Sequence, residues 1–125
     1  MTLETLTPAP DWSAAAHRSA VEVLASLGPD EQVKVWCDDG CVDCRALLPE
    51  FAAALDAADL PSERINQFEV ERLPEGRKRG PQVDAYDINR IPTVVVEREG
   101  TELARFEEGE PPPIASALAS QLDDG

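Results

Sequence analysis

The chain is predicted to adopt an α/β fold: a central four-stranded mixed sheet flanked by helices, with an extra helix on the N-terminal side. Three observations predict it. Val33-Lys34-Val35-Trp36 and Val94-Val95-Val96 are apolar runs of buried-strand length. Between the first of these and an alternating stretch at 65–71 lies a helical repeat, Leu47, Leu48, Phe51, Leu55 and Ala58. Arg98-Glu99-Gly100-Thr101 then supplies a hairpin turn after the valine run. Strand, helix and strand in that order pair two parallel strands by a right-handed crossover; the hairpin adds an antiparallel pair, and helices cover both faces.

The elements follow in order. Residues 1–10 hold two prolines and no periodic pattern, and are read as a flexible tail; 11–125 form a single domain. Asp11 can cap a helix over 12–27, whose apolar stripe is Ala16, Ala20, Val23, Leu24 and Leu27, and which Gly28-Pro29 stops. His17 beside that stripe is read as a structural histidine rather than a ligand or base. The first strand covers 31–36. The next helix covers 45–59, with Pro49 inside it as a kink and Leu60-Pro61 ending it. Ile65, Phe68 and Val70 line a second strand. Residues 72–81 form a loop with the basic cluster Arg77-Lys78-Arg79, read as a solvated loop or as a dock for an acidic partner or reductase. A short helix is expected over 82–89, a third strand at 94–96 and a fourth over 102–106. Ile114, Leu118 and Leu122 mark a last amphipathic helix.

Composition narrows the function classes. Asp plus Glu number 25 against 11 Lys plus Arg, a formal net charge of −14. Such a surface repels nucleic acid and anionic lipid, so neither is an expected partner. An acidic, lysine-poor, alanine-rich chain is similar in composition to proteins of salt-loving microbes, where high salt screens self-repulsion. Apolar runs are far short of a membrane span, and no basic region followed by an apolar core opens the chain. A cytoplasmic, monomeric protein is expected.

All three cysteines fall within Trp36-Cys37-Asp38-Asp39-Gly40-Cys41-Val42-Asp43-Cys44. Cys41 and Cys44 are a C-x-x-C pair at a strand-to-helix junction. Unpaired N–H groups and the helix dipole favour a thiolate there. A thiolate attacks a disulfide sulfur, and a second thiol three residues on can resolve the mixed disulfide. In a reducing compartment a C-x-x-C is catalytic or metal-binding more often than structural.

These features together resemble the thioredoxin-like superfamily. The strand ending in Trp36 precedes Cys41-Val42-Asp43-Cys44, and Pro49 stands five residues after the second cysteine, where the family carries its helix-kinking proline. Tyr86-Asp87-Ile88-Asn89-Arg90-Ile91-Pro92-Thr93 is similar to the family segment ending in Ile-Pro-Thr, and Gly109 matches a glycine after the last strand. The resemblance covers 31–122. It implies a thiol–disulfide oxidoreductase, most simply a protein disulfide reductase. Cys41 would be the attacking thiol, Cys44 the buried resolving thiol and Pro92 the cis-proline of a substrate groove that also involves Trp36. The backbone of Ile91 or Thr93 would pair with an extended substrate chain by strand addition. Protein or small-molecule disulfides would be the substrates and a reductase or small thiol the electron donor, with no metal or organic cofactor.

The sequence also departs from the family. Gly40, not Trp, precedes Cys41, and the Trp-Cys dipeptide stands four positions earlier. Lys34 aligns with the family's buried acidic residue; beneath the site it would stabilise a thiolate but could not relay a proton as a carboxylate does, and the equal alternative is a lysine exposed at the strand end. Asp38, Asp39 and Asp43 oppose thiolate formation at Cys41. Cys37 is either a small core residue at the strand end or a partner of Cys41 or Cys44 under oxidation. Two other functional readings stand beside the enzyme. One is a thioredoxin-fold binding or assembly module in which the cysteines are secondary. The other is a metal or iron–sulfur site on Cys37, Cys41 and Cys44, whose spacing matches that of radical SAM enzymes; those need a much larger barrel, and zinc would want a fourth ligand from His17 or an acidic side chain.

Overall fold

The computed structural model describes residues 15–28, 30–38, 42–73, 78–80, 82–107, 109 and 114–124. The expected tail at 1–10, and the start of the first helix at 12–14, lie outside them.

A turn of 3-10 helix at Ala15–His17 leads into α1, Arg18–Ala25. Ala20 and Leu24 are buried on its inner face, as the apolar stripe requires, and Val23 packs beside them. Strand β1 is Glu31–Cys37. Helix α2 is Val42–Ala57, beginning three residues before the expected start at Arg45, so that Cys44 lies in its first turn. It ends in a left-handed residue, Asp59, at φ 58°. The Leu60 N–H donates to the Leu55 carbonyl at 3.2 Å and the Asp59 N–H to Asp56 at 3.0 Å. These bonds satisfy the last free carbonyls, as in a glycine-terminated helix. Pro49 sits inside α2, where it supplies no N–H for the Arg45 carbonyl one turn back.

Strand β2, Ile65–Glu69, runs parallel to β1. The segment read as an irregular loop forms a small antiparallel hairpin of β3, Glu71–Arg72, and β4, Lys78–Arg79. Two residues per strand leave no periodicity to read. Strand β5, Thr93–Arg98, and strand β6, Thr101–Glu107, make the hairpin around Gly100, which takes φ 86°. Helix α3 is Ile114–Asp124. The four long strands form one mixed sheet in the order β2-β1-β5-β6.

The three helices touch one another pairwise and so gather on one face of the sheet. That face carries Val33, Val35, Val94, Val96, Ala104 and Phe106, all buried, beneath Leu48, Phe51, Ile114 and Leu118. The expectations of a short helix over 82–89 and of helices on both faces are corrected. Residues 82–87 form successive turns, with Gln82 at φ 60° and Asp87 at φ 55°. Left-handed residues at both ends cannot continue a right-handed helix. This turn segment, not a helix, packs Tyr86 against the second face. Gln121 of α3 secures the β6 edge: its side-chain amide accepts from the Arg105 N–H at 2.9 Å and donates to the Arg105 carbonyl at 2.8 Å. No described helix is long and apolar enough to cross a membrane.

Candidate functional site at the end of the first strand

Three segments meet at one end of the sheet. The last residue of β1 is Cys37, the first turn of α2 holds Cys44, and β5 begins after Pro92. Cys37 and Cys44 are joined by a disulfide, with Cα atoms 6.2 Å apart. That separation falls in the ordinary range of roughly 4.4–6.8 Å for bridged cysteines. Both residues are 0% exposed. The side-chain period of two puts Cys37 on the helix-covered face with Val33 and Val35, which points it at α2. Asp38, directly after it, is half-buried, and its carbonyl lies 3.6 Å from Cys37 Sγ.

The two readings of Cys37 therefore coincide. It is a buried residue at the strand end, and it is also the bonded partner of Cys44. Cys41, the expected attacking thiol, lies outside the described residues, as do Gly40 and the side chain of Asp43. Val42, between them in the chain, is exposed.

The antiparallel register of β1 and β5 ends with Trp36 opposite Thr93. Cys37 and Pro92 are thus the next residues on the two strands. The Ile91–Pro92 peptide bond is cis. Ile91, Pro92 and Thr93 are all buried. Thr93 pairs with Trp36 of β1 on one side and with Glu107 of β6 on the other, so it has no open flank. The expectation that its backbone adds a substrate strand is corrected on that ground. The ladder ends before Ile91, whose backbone stands beyond both pairings. The Thr93 hydroxyl donates to the Arg90 carbonyl at 2.6 Å and ties this corner together.

Trp36 does not line a groove. It is 0% exposed, with its ring stacked on Phe68 and tilted against Tyr86, both at 5.0 Å between centroids. Its ring lies on the sheet face turned away from α2.

Lys34 lies on that same second face. Its Nζ is 2.8 Å from Glu97 Oε1, donates to the Tyr86 hydroxyl at 2.8 Å and to Gln82 Oε1 at 3.1 Å, and sits over the Tyr86 ring. The Tyr86 hydroxyl in turn donates to Glu97 Oε2 at 2.6 Å. Burial by itself lowers the Lys34 pKa. The bonds to Glu97 and Tyr86, and the Glu97 charge, outweigh it and hold the ammonium above the usual lysine range. For Glu97, burial raises the pKa, and the bonds from Lys34 and Tyr86 with the Lys34 charge bring it below the usual carboxylate range. The expected role of Lys34 as a cation under the thiols is thereby corrected: its charge faces away from Cys37 and is balanced by Glu97.

Sequence reasoning missed Glu97 and Tyr86 as partners. The strand register brings them together: Glu97 is two residues beyond Val95, which pairs opposite Lys34, so alternation puts Glu97 on the Lys34 face. Among the described residues no cluster of three or more His, Cys, Asp or Glu could hold a metal ion.

The arrangement holds two bonded sulfurs, one at the end of β1 and one in the first turn of α2, and a third cysteine lies three residues before Cys44 in the chain. No protein-family model matches this chain, and no curated protein matches it in sequence.

Proposed function

We propose that this chain is a thioredoxin-like thiol–disulfide oxidoreductase, most simply a protein disulfide reductase. The observation that carries the reading is the disulfide at Cys44, in the first turn of α2, beside the strand ends that hold Cys37 and Pro92. The parallel β1–β2 pair with its crossover helix, and the antiparallel β5–β6 pair beside it, support the same reading.

In the reaction the Cys41 thiolate attacks one sulfur of a substrate disulfide. The substrate S–S bond breaks, a Cys41–substrate bond forms, and the other substrate sulfur leaves as a thiolate and takes a proton. Cys44 then attacks the Cys41 sulfur and releases the second substrate thiol. The substrate gains two electrons, and the enzyme dithiol loses them. A reductase or a small thiol restores the dithiol. No metal or organic cofactor enters any step. The backbone of Ile91, beyond the last paired residue of the sheet, would pair with an extended substrate.

One observation favours a second reading. The disulfide joins Cys44 to Cys37, and both are fully buried. In a binding or assembly module of the same fold it would be a permanent staple. The two are separated by assaying reduction of a peptide disulfide with Cys41→Ser and by trapping substrate on Cys44→Ser. An oxidoreductase loses turnover in the first variant and accumulates a mixed disulfide in the second. A staple-bearing module shows no turnover to lose.

A further inference from the structure

We infer that Lys34, Tyr86 and Glu97 are positioning residues for the Ile91 backbone: together they fix the arch of chain from Tyr86 to Pro92 against which a substrate lies. The inference rests on the oxidoreductase reading and adds to it the residues that set the substrate contact.

The arch contains no helix or strand, so its shape is set by where it is tied down. At its start the Tyr86 hydroxyl accepts from Lys34 Nζ at 2.8 Å and donates to Glu97 Oε2 at 2.6 Å. The Tyr86 carbonyl accepts from Arg105 at 2.7 Å, and the ring lies against Trp36. Lys34 also donates to Gln82 Oε1 at 3.1 Å, at the far end of the turn segment. In the middle, Ile88 is buried and its N–H donates to the Val83 carbonyl at 2.9 Å. At its end the Arg90 carbonyl accepts from the Thr93 hydroxyl, and Ile91 follows, beyond the last paired residue of the sheet. Gln82 and Asp87 both take left-handed φ, 60° and 55°, although neither is glycine. Such residues hold that conformation when the contacts around them over-determine it. The bonds among Lys34, Tyr86 and Glu97 supply those contacts from the sheet.

Stability alone does not account for charges in this place. An apolar pair of similar size is often as stable in a buried position as an ion pair, or more so. What the bonded pair adds is direction. Apolar packing would keep the Tyr86 ring against the sheet but leave its hydroxyl end free to slide. One bond accepted and one donated fix where that end sits. Tyr86 stands five residues before Ile91, so a shift at the hydroxyl passes along a short arch to the backbone that meets the substrate. The three side chains lie on the sheet face turned away from Cys37, so they act on the substrate contact and not on the sulfurs.

The test uses the full chain and a short synthetic peptide closed by one disulfide, with dithiothreitol as electron donor. Lys34→Met/Glu97→Leu is compared with the natural chain in urea unfolding, in kcat and KM, and in hydrogen exchange of the amides from Ile88 to Ile91. The expected double variant keeps most of its stability and its kcat, while KM rises about tenfold because substrate binding alone is weakened. Exchange at those amides quickens by at least about tenfold, with the β1 amides unchanged. Tyr86→Phe keeps the ring on Trp36 and loses only the hydroxyl. It should move KM and exchange in the same direction, and it reads out even where the double variant folds poorly. A double variant whose KM and exchange match the natural chain overturns the inference and leaves the oxidoreductase reading in place, since the three residues then serve stability only. A fall in kcat with KM unchanged overturns it too. A natural chain that reduces no peptide disulfide removes the oxidoreductase reading, and this inference with it, because no substrate contact is left to position.

Discussion

Lys34 and Glu97, 63 positions apart in the chain, form a 2.8 Å ion pair on the sheet face turned away from the helices. Tyr86 closes the triangle by bonding to both, and through it the pair anchors the 82–87 turn segment over Trp36. The side chains are only 12% and 9% exposed, so breaking the pair leaves a charge stranded in a poorly solvated place. Glu97→Leu is expected to cost about 3 kcal/mol in urea unfolding, and Lys34→Met a similar amount. The double variant Lys34→Met/Glu97→Leu is expected to cost clearly less than the sum, because neither charge is then stranded.

The same pair sets a pH dependence. The Glu97 pKa is lowered in the folded state, so its contribution is present above the unfolded carboxylate pKa and is lost as pH falls through the folded value. The Lys34 pKa is raised, so its contribution is present below the unfolded lysine pKa and is lost as pH rises through the folded value. Between those limits stability is expected to be flat with respect to this pair. In Glu97→Gln the acid limb of a stability–pH curve should be shallower than in the natural chain. Equal acid limbs in the two proteins would count against the pair as a stabilising element.

Arg64 is expected to be a second determinant of stability. Its guanidinium donates to three carbonyls: Leu27 at 2.8 Å, Gly28 at 2.6 Å and Glu31 at 3.2 Å. These acceptors lie between the end of α1 and the start of β1, so one side chain holds the connection in place. Arg64→Ala should lower stability by about 2–3 kcal/mol, since bonds to a charged donor are lost together. Arg64→Lys should recover only part of this, because an ammonium lacks the planar fork. Chemical denaturation of both variants checks it.

Gly80 is held to glycine by contact. A Cβ there would lie 2.9 Å from the Glu69 carbonyl oxygen and 3.4 Å from Val70 Cα, both backbone atoms that cannot swing aside. Gly80→Ala is expected to cost about 1–3 kcal/mol by forcing the β4 turn off the end of β2. Gly100→Asn, in a turn with open space around the missing Cβ, should cost less despite its φ of 86°. Comparing the two unfolding midpoints tests the difference.

The disulfide should contribute to stability in its own right. Cys37 and Cys44 are seven positions apart, and closing so short a loop removes about 2–3 kcal/mol of unfolded-chain entropy. Unfolding of the natural chain should shift by that amount on reduction, whereas Cys44→Ala, which removes the sulfur shared by this bond and by the Cys41–Cys44 bond of the proposed reaction, should show no shift. A shift that persists in Cys44→Ala would mean that a pair without Cys44 carries the bond.

Much of this was open to view in the amino-acid sequence. The valine runs, the alternation at 65–71, the hairpin turn at 98–101 and the apolar repeat of α2 located the four long strands and that helix, because periodicity reports which side of an element is buried. Clustering of the three cysteines located the candidate site, because chemistry carried within nine residues needs no folding to bring it together. Three things lay beyond it. Which cysteine bonds Cys44 depends on the direction in which β1 presents Cys37 to the first turn of α2. The conformation of 82–87 depends on contacts to Trp36 and Lys34 from another part of the chain, which override a local helical pattern. The pairing of Lys34 with Glu97 depends on the register of β1 against β5. The sequence by itself determined the four long strands, the helices packed on them and the cluster of thiols, since these arise from neighbours along the chain. Only the tertiary structure decided which thiol meets which and which charges balance, since those choices are made by strand register and by the face toward which each side chain points.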